Sequence, residues 1–181
     1  MEITDIAWAR TSATLYGISY GALYAIDTAT CEATPIGDGL HTSNANALTC
    51  DASGNLFGAT VSGYLLRVDP FSGGAATIGS YGSGLTSSGD LAFASDGTLF
   101  GSANAPGEVG DVLVRIDPSN GIATRVGSTG YQDVFGLVFV GDKLYGVTAA
   151  NELVRLDTQT GEGVLVRDLS FSAWGAESAG D

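Results

Sequence analysis

An all-β fold of four repeated sheets is what this 181-residue sequence predicts, and two observations predict it. The first is a recurring phrase: ATLYGISYGA from Ala13, GNLFGATVSG from Gly54, GTLFGSANAP from Gly97 and DKLYGVTAAN from Asp142. Its landmark glycines Gly17, Gly58, Gly101 and Gly146 are spaced by 41, 43 and 45 residues. The second is a set of later landmarks that keeps step with the first. AID, RVD, RID and RLD end at Asp27, Asp69, Asp117 and Asp157. Four residues on stand Cys31, Gly73, Gly121 and Gly161, and ten residues on stand Gly37, Gly79, Gly127 and Arg167. A period in the low forties, with four strand-like runs in each copy, is the signature of a β-propeller blade.

The third copy displays the elements in order. DLAFA at 90–94 is strand A, and SDG turns the chain into strand B, TLFGSA, at 98–103. A longer connection, NAPGEVG, leads to strand C, DVLVRID, at 111–117; PSNG then turns into strand D, IATRVG, at 122–127. Each run is β-branched or alternating, and each turn carries the Asp, Asn, Pro or Gly that tight turns require. No segment sustains a helical period. Strand A is expected to line the central axis, because IAW, LAF and LVF are small or apolar. The glycine after each Leu-aromatic pair is expected to mark a close approach of neighbouring blades.

The predicted fold is therefore a propeller of four blades, each of four antiparallel strands, at about 3–40, 45–80, 89–128 and 134–169, within a domain 1–169. The tail 170–181 is surplus. Its Trp174-Gly175-Ala176 aligns with Phe135-Gly136-Leu137 at the start of the fourth strand A, so the tail predicts a fifth such strand. Three arrangements are open: packing outside a closed ring, the stump of a longer propeller, or pairing with another chain through an unpaired strand edge.

The pattern LYG…L.RIDP.TG..T.VG…GLAF resembles the short propeller repeats of secreted and surface bacterial proteins, over essentially Ile3 to Gly175. It is similar in style to NHL-type and YWTD repeats, whose members include enzymes, receptors and scaffolds. SDGTL at 95–99 resembles part of the sialidase Asp-box without its Trp, and that motif is a structural turn. The resemblance implies a fold and a secreted or cell-surface location, and it implies no catalytic residue.

Composition narrows the function. The net charge is −13 and Lys143 is the only lysine, so nucleic acid is not expected as a partner and an anionic membrane surface is disfavoured, for want of clustered cations. No apolar run is long enough for a membrane span. The N-terminal MEITDIAWAR has no charged-then-apolar leader.

Candidate ligand positions fall on the loops that join strand D to strand A and strand B to strand C, which share one face. Asp90, Glu108, Asp111, Asp133 and Glu152 supply carboxylates there; Asn44, Asn46, Asn104 and Gln132 supply amides; Tyr20, His41, Tyr81 and Tyr131 supply rings. Asp90 and Asp133 stand just before strand A in two blades, and converging oxygen donors of this kind could hold Ca2+. No other cofactor is expected. Tyr81, Tyr131 and Trp174, beside amides and acids, suit a glycan, whose C–H faces stack on rings. Enzyme readings are weaker. His41 is the only histidine, no nucleophile elbow is present, and the carboxylate pair of a carbohydrate hydrolase or lyase needs a separation that sequence does not supply. Arg67, Arg115 and Arg155, two residues before the landmark aspartates, are expected to make structural contacts with Asp or with the C-to-D turn. Cys31 and Cys50 form either one disulfide or two free thiols. The readings that remain are a non-catalytic binding or scaffold module for a glycan, protein or cation, a subunit that self-assembles through its tail, and, behind both, a carbohydrate-active enzyme.

Overall fold

The computed structural model describes residues 2–42, 44–171 and 175–177. Sixteen strands form four sheets. The first blade holds β1 (Asp5–Ala9), β2 (Thr14–Ile18), β3 (Leu23–Ile26) and β4 (Ala33–Ile36). The second holds β5 (Ala45–Cys50), β6 (Leu56–Thr60), β7 (Tyr64–Val68) and β8 (Ala75–Ser80). The third holds β9 (Thr86–Phe93), β10 (Leu99–Asn104), β11 (Val112–Ile116) and β12 (Ala123–Ser128). The fourth holds β13 (Val134–Val140), β14 (Lys143–Thr148), β15 (Glu152–Leu156) and β16 (Gly163–Asp168). Strands follow chain order in every sheet and all pairings are antiparallel. No helix occurs among the described residues. The inner strands pack in sequence, β1 on β5, β5 on β9 and β9 on β13, which makes a four-bladed propeller.

The landmark aspartates earn their repetition at the C-to-D turns. Asp27, Asp69, Asp117 and Asp157 each accept the backbone N–H two residues on, from Ala29, Phe71, Ser119 and Gln159, at 2.7–2.9 Å. Each aspartate's own carbonyl accepts the N–H four residues on, at 2.8–2.9 Å, from Cys31, Gly73, Gly121 or Gly161. That fourth residue is left-handed in every blade, with φ of 60°, 73°, 81° and 83°, where glycine is the least strained choice.

The same glycines also set the spacing between blades. A Cβ on Gly37, Gly79 or Gly127, all in or just after strand D, would overlap the carbonyl of Ser72, Asn120 or Thr160 in the next blade's C-to-D turn. In return, a Cβ on Gly73, Gly121 or Gly161 would strike the backbone of Ile36, Gly79 or Gly127. These three glycine pairs are where neighbouring blades come closest. The glycines after the Leu-aromatic pairs, expected to hold that place, are instead crowded chiefly within their own blades. Gly101 faces Ile116 and Leu91, and Gly146 faces Val134 and Val154.

The core lies between the blades as three clusters, one at each blade-to-blade interface. Ala7, Tyr16 and Leu23 of the first blade meet Leu48, Leu56 and Leu66 of the second. Phe57 and Leu65 meet Leu91, Leu99 and Val114. Phe100 and Leu113 meet Leu137, Leu144 and Val154. Each fully buried leucine contributes roughly 1.5–3 kcal/mol relative to exposure.

Because Gly79 abuts backbone that cannot yield, Gly79→Val is expected to lower stability by about 3 kcal/mol. Arg167→Gly, at the aligned position in the fourth blade, is expected to stay within about 1 kcal/mol of the parent. Urea denaturation midpoints compare the two, and equal losses would remove the distinction drawn between the positions.

Candidate functional site on the propeller axis

β9 begins at Thr86, so Asp90 lies inside the inner strand and not in the loop before it. Register places it level with Asp5 of β1. Ile6 pairs with Gly17 as Leu91 pairs with Gly101. The phrases DIAWA and DLAFA coincide residue by residue in type, which is the sequence signal that would have found Asp5. The other two blades carry Ala47 and Gly136 at this level.

Both aspartates are buried, and both bind backbone in two blades. Asp5 Oδ1 accepts the Ile6 N–H at 2.8 Å, and its Oδ2 accepts the N–H of Leu48 in the second blade at 2.7 Å. Asp90 Oδ1 accepts the Leu91 N–H at 2.6 Å, and its Oδ2 accepts the N–H of Leu137 in the fourth blade at 2.5 Å. Asp5 therefore clamps blades one and two, and Asp90 clamps blades three and four. The two carboxyls also hydrogen-bond to each other across the axis, which requires a proton between them. Burial pushes Asp90 up to about 8, against its bonds to Asp5, Leu137 and Leu91, with the Glu177 charge adding to the rise. Asp5 is raised well above the ordinary carboxyl range, by burial first and then by Asp90. Two like charges this close cannot form together, and burial raises both groups, so the pair holds its protons through neutral pH.

The tail closes onto this pair. A Cβ on Gly175 would strike the Asp5 carboxyl, and a Cβ on Gly136 would lie 3.1 Å from the Cβ of Ala176. Residues 175–177 thus lie at the axis between β13 and β1, inside the ring and not along its outside.

The sequence-predicted residues disperse. Asp90 pairs with Asp5, whereas Asp133, exposed and left-handed at φ 53°, lies beside Asp111 and raises it electrostatically. The two are not equivalent positions. Asp111 is raised mainly by burial, and its Oδ2 accepts the Ser88 hydroxyl and the Val134 N–H, each at 2.7 Å. Tyr81 is buried in the core between blades two and three, so its ring faces no solvent. Tyr131 is half-buried against the third cluster and packs on Gly163. Trp174 lies outside the described residues. Glu108 pairs with Arg125 at 2.8 Å, Glu152 accepts the Thr148 hydroxyl at 2.9 Å, and His41 pairs with Asp38 at 3.0 Å on the surface. Among the described residues, no three His, Cys, Asp or Glu side chains converge as metal ligands.

Cys31 and Cys50 are free thiols, Cys31 exposed and Cys50 half-buried, so the disulfide alternative is set aside. Two of the repeated arginines stack on aromatic rings. Arg67 lies 4.8 Å from the Phe57 centroid and Arg115 lies 5.5 Å from that of Phe100. Arg115 then donates to the Thr158 carbonyl in the next blade's C-to-D turn at 2.8 Å, in place of an Asp contact. It borders a polar cleft of about 400 Å³ with Asp96, Asp142 and Gln159, on the face opposite the candidate loops.

No protein-family model matches the chain, and no curated protein does. Solved structures match in fold. The extracellular domain assigned to a hybrid two component system from Bacteroides thetaiotaomicron gives a TM-score of 0.59 at 16% identity, over 97% of this chain and 24% of its own. A gluconolactonase from Xanthomonas campestris gives 0.64 at 17% identity, over 88% of this chain and 59% of its own. The PQQ-bound aldose sugar dehydrogenase from Streptomyces coelicolor gives 0.57 at 15% identity, over 84% and 57%. The chain spans less than two thirds of each, and the likeness is one of propeller fold.

The axial pair sets a pH dependence. Its folded-state affinity for the proton is raised, so the unfolded chain releases a proton from about pH 4 that the folded chain keeps until about 8. Stability therefore falls as pH rises across that window, by up to about 1.4 kcal/mol per pH unit per proton. The exposed turn aspartates act the other way. Asp27 is lowered by the Thr30 and Ala29 N–H groups, and Asp117 by the Ser119 hydroxyl and N–H. Their contribution is present above the unfolded value and lost as pH falls through the folded one. Chemical denaturation from pH 3 to 9 is expected to show a maximum near about pH 4–5, and Asp90→Asn is expected to flatten the alkaline limb. A thiol-reactive dye provides a separate check. Cys31 is expected to react at once and Cys50 slowly, because burial, then Asp51 and Glu177, push the Cys50 thiol up to about 11.

Proposed function

We propose that the chain is a non-catalytic extracellular binding or scaffold module whose B-to-C and D-to-A loop face meets a ligand, with a glycan as the first class to try. The observation that carries this reading is the division of labour at that end of the propeller. Tyr20 (50% exposed), Tyr64 (45%) and Val109 (87%) project from the B-to-C side of three successive blades. The acids behind them, Asp5, Asp90 and Asp111, are committed to backbone clamps. Rigid blades with exposed rings on their loops are a recognition surface. The extracellular domain from B. thetaiotaomicron supports the location, and the two sugar-acting neighbours support the ligand class. An exposed acid such as Asp133 could add a cation to a bound glycan.

A carbohydrate-active enzyme remains the second reading, because the axis holds two carboxyls in contact. Their burial, at 2% and 1% exposure, leaves substrate no approach. Glycan-array and calorimetric screening, with and without Ca2+, tests the proposal. Binding is expected to weaken at least about tenfold in Tyr20→Ala and Tyr64→Ala without a change in melting temperature. Ligand binding indifferent to both, or turnover of a lactone or glycoside that disappears in Asp90→Asn, would overturn it.

A further inference from the structure

Three blade-to-blade interfaces are built alike, and among the described residues no fourth cluster joins the first and last blades, although each carries its half of one. Every blade offers a rear face to the blade before it and a front face to the blade after it. On the rear faces, Leu56, Leu99 and Leu144 are 0% exposed, as are Leu66, Val114 and Val154. Their counterparts in the first blade, Leu15 and Tyr24, are only half-buried. On the front faces, Leu23, Leu65 and Leu113 are fully buried, while their counterpart Leu153 in the fourth blade is half-buried and Val140 is 59% exposed. The glycine pairs stop at the same place. Cys31 and Arg167 stand in place of glycine on the two edges that border this seam. A cleft of about 330 Å³, lined in part by Arg155 and Val164, opens on its fourth-blade side.

The inner edge of the seam is filled. Residues 175–177 lie at the axis between β13 and β1, in the segment that repeats the start of strand A. We infer that the seam is an acceptor for the three outer strands of a fifth blade of this same repeat, strands B to D, which slot between the fourth and first blades beside residues 175–177. All sixteen described strands are used in the chain's own four sheets; the occupant is a separate polypeptide that carries the same repeat. Their chemistry follows from continuity with the three existing interfaces. The rear face is leucine- and valine-rich and meets Tyr145 and Leu153; the front face carries an aromatic that meets Leu15 and Tyr24. This inference stands apart from the loop-face reading and uses none of its residues.

The test uses the 181-residue chain as its Trp174→Phe variant, which leaves Trp8, on the rear face of the first blade, as the sole tryptophan reporter. The probe is a separate polypeptide of residues 95–128, which already packs in this manner as blade three. The chain alone is expected to be a monomer by light scattering, with Trp8 open to acrylamide. Adding the probe is expected to give a one-to-one complex and to cut Trp8 quenching at least threefold. Val140→Asp, at an exposed position, is expected to weaken that complex at least tenfold. Three results would overturn the inference: Trp8 shielded in the free monomer, meaning that the seam closes on itself; a dimer that shields Trp8, meaning that a second copy fills it; or a probe that leaves Trp8 unchanged.

Discussion

A β-sheet with two apolar faces cannot leave either in water, and the structure depends on that constraint. Blades two and three satisfy it on both faces by lying against neighbours of their own kind, and blades one and four do so on one face. The three hydrophobic clusters are accordingly found between sheets and not within any one of them. Close stacking in turn brings backbone to backbone at the outer strands, and only glycine leaves room there. The glycines that stand four residues after three of the aspartates, and ten residues after three of them, are thus a record of contacts between blades.

Stacking around an axis creates a second problem at the centre. Inner strands converge there and carry N–H groups that must be satisfied away from water. Asp5 and Asp90 supply acceptors, each spanning two blades, so that four strands are tied in two pairs. The price is a pair of buried carboxyls close enough to share a proton. The arrangement exchanges electrostatic ease for fixed geometry, and it makes the axis a clamp more than an open site. Exposed side chains able to engage a partner are consequently displaced to the loop ends, where blade rigidity holds them in place.

Much of this was legible in the sequence. The period, the turn aspartates and the alternating runs specify four sheets because they are local: a strand and its turn depend on residues a few positions apart. The tail repeats the start of strand A, but its described residues 175–177 lie at the axis without forming a strand. Less legible were the roles of particular residues. Tyr81 has the composition of a binding loop, yet it fills the core, because the linker it occupies crosses directly over an interface. Asp90 is legible as an acid at strand A, and DIAWA matches DLAFA in residue type, but that Asp5 and Asp90 face each other depends on how the blades are arranged.

What the sequence by itself determined is the blade: its strands, its capped turns and the faces each strand presents, all set by short-range chemistry and period. What only the tertiary structure decided is which equivalents meet. Asp5 and Asp90 stand 85 positions apart in the sequence and touch because the axis brings alternate blades face to face. The glycine pairs join successive blades, Gly37 with Gly73, Gly79 with Gly121 and Gly127 with Gly161, which no single repeat shows. Those relations depend on how blades curve around a centre, and curvature is a property of the packed assembly that no single repeat contains.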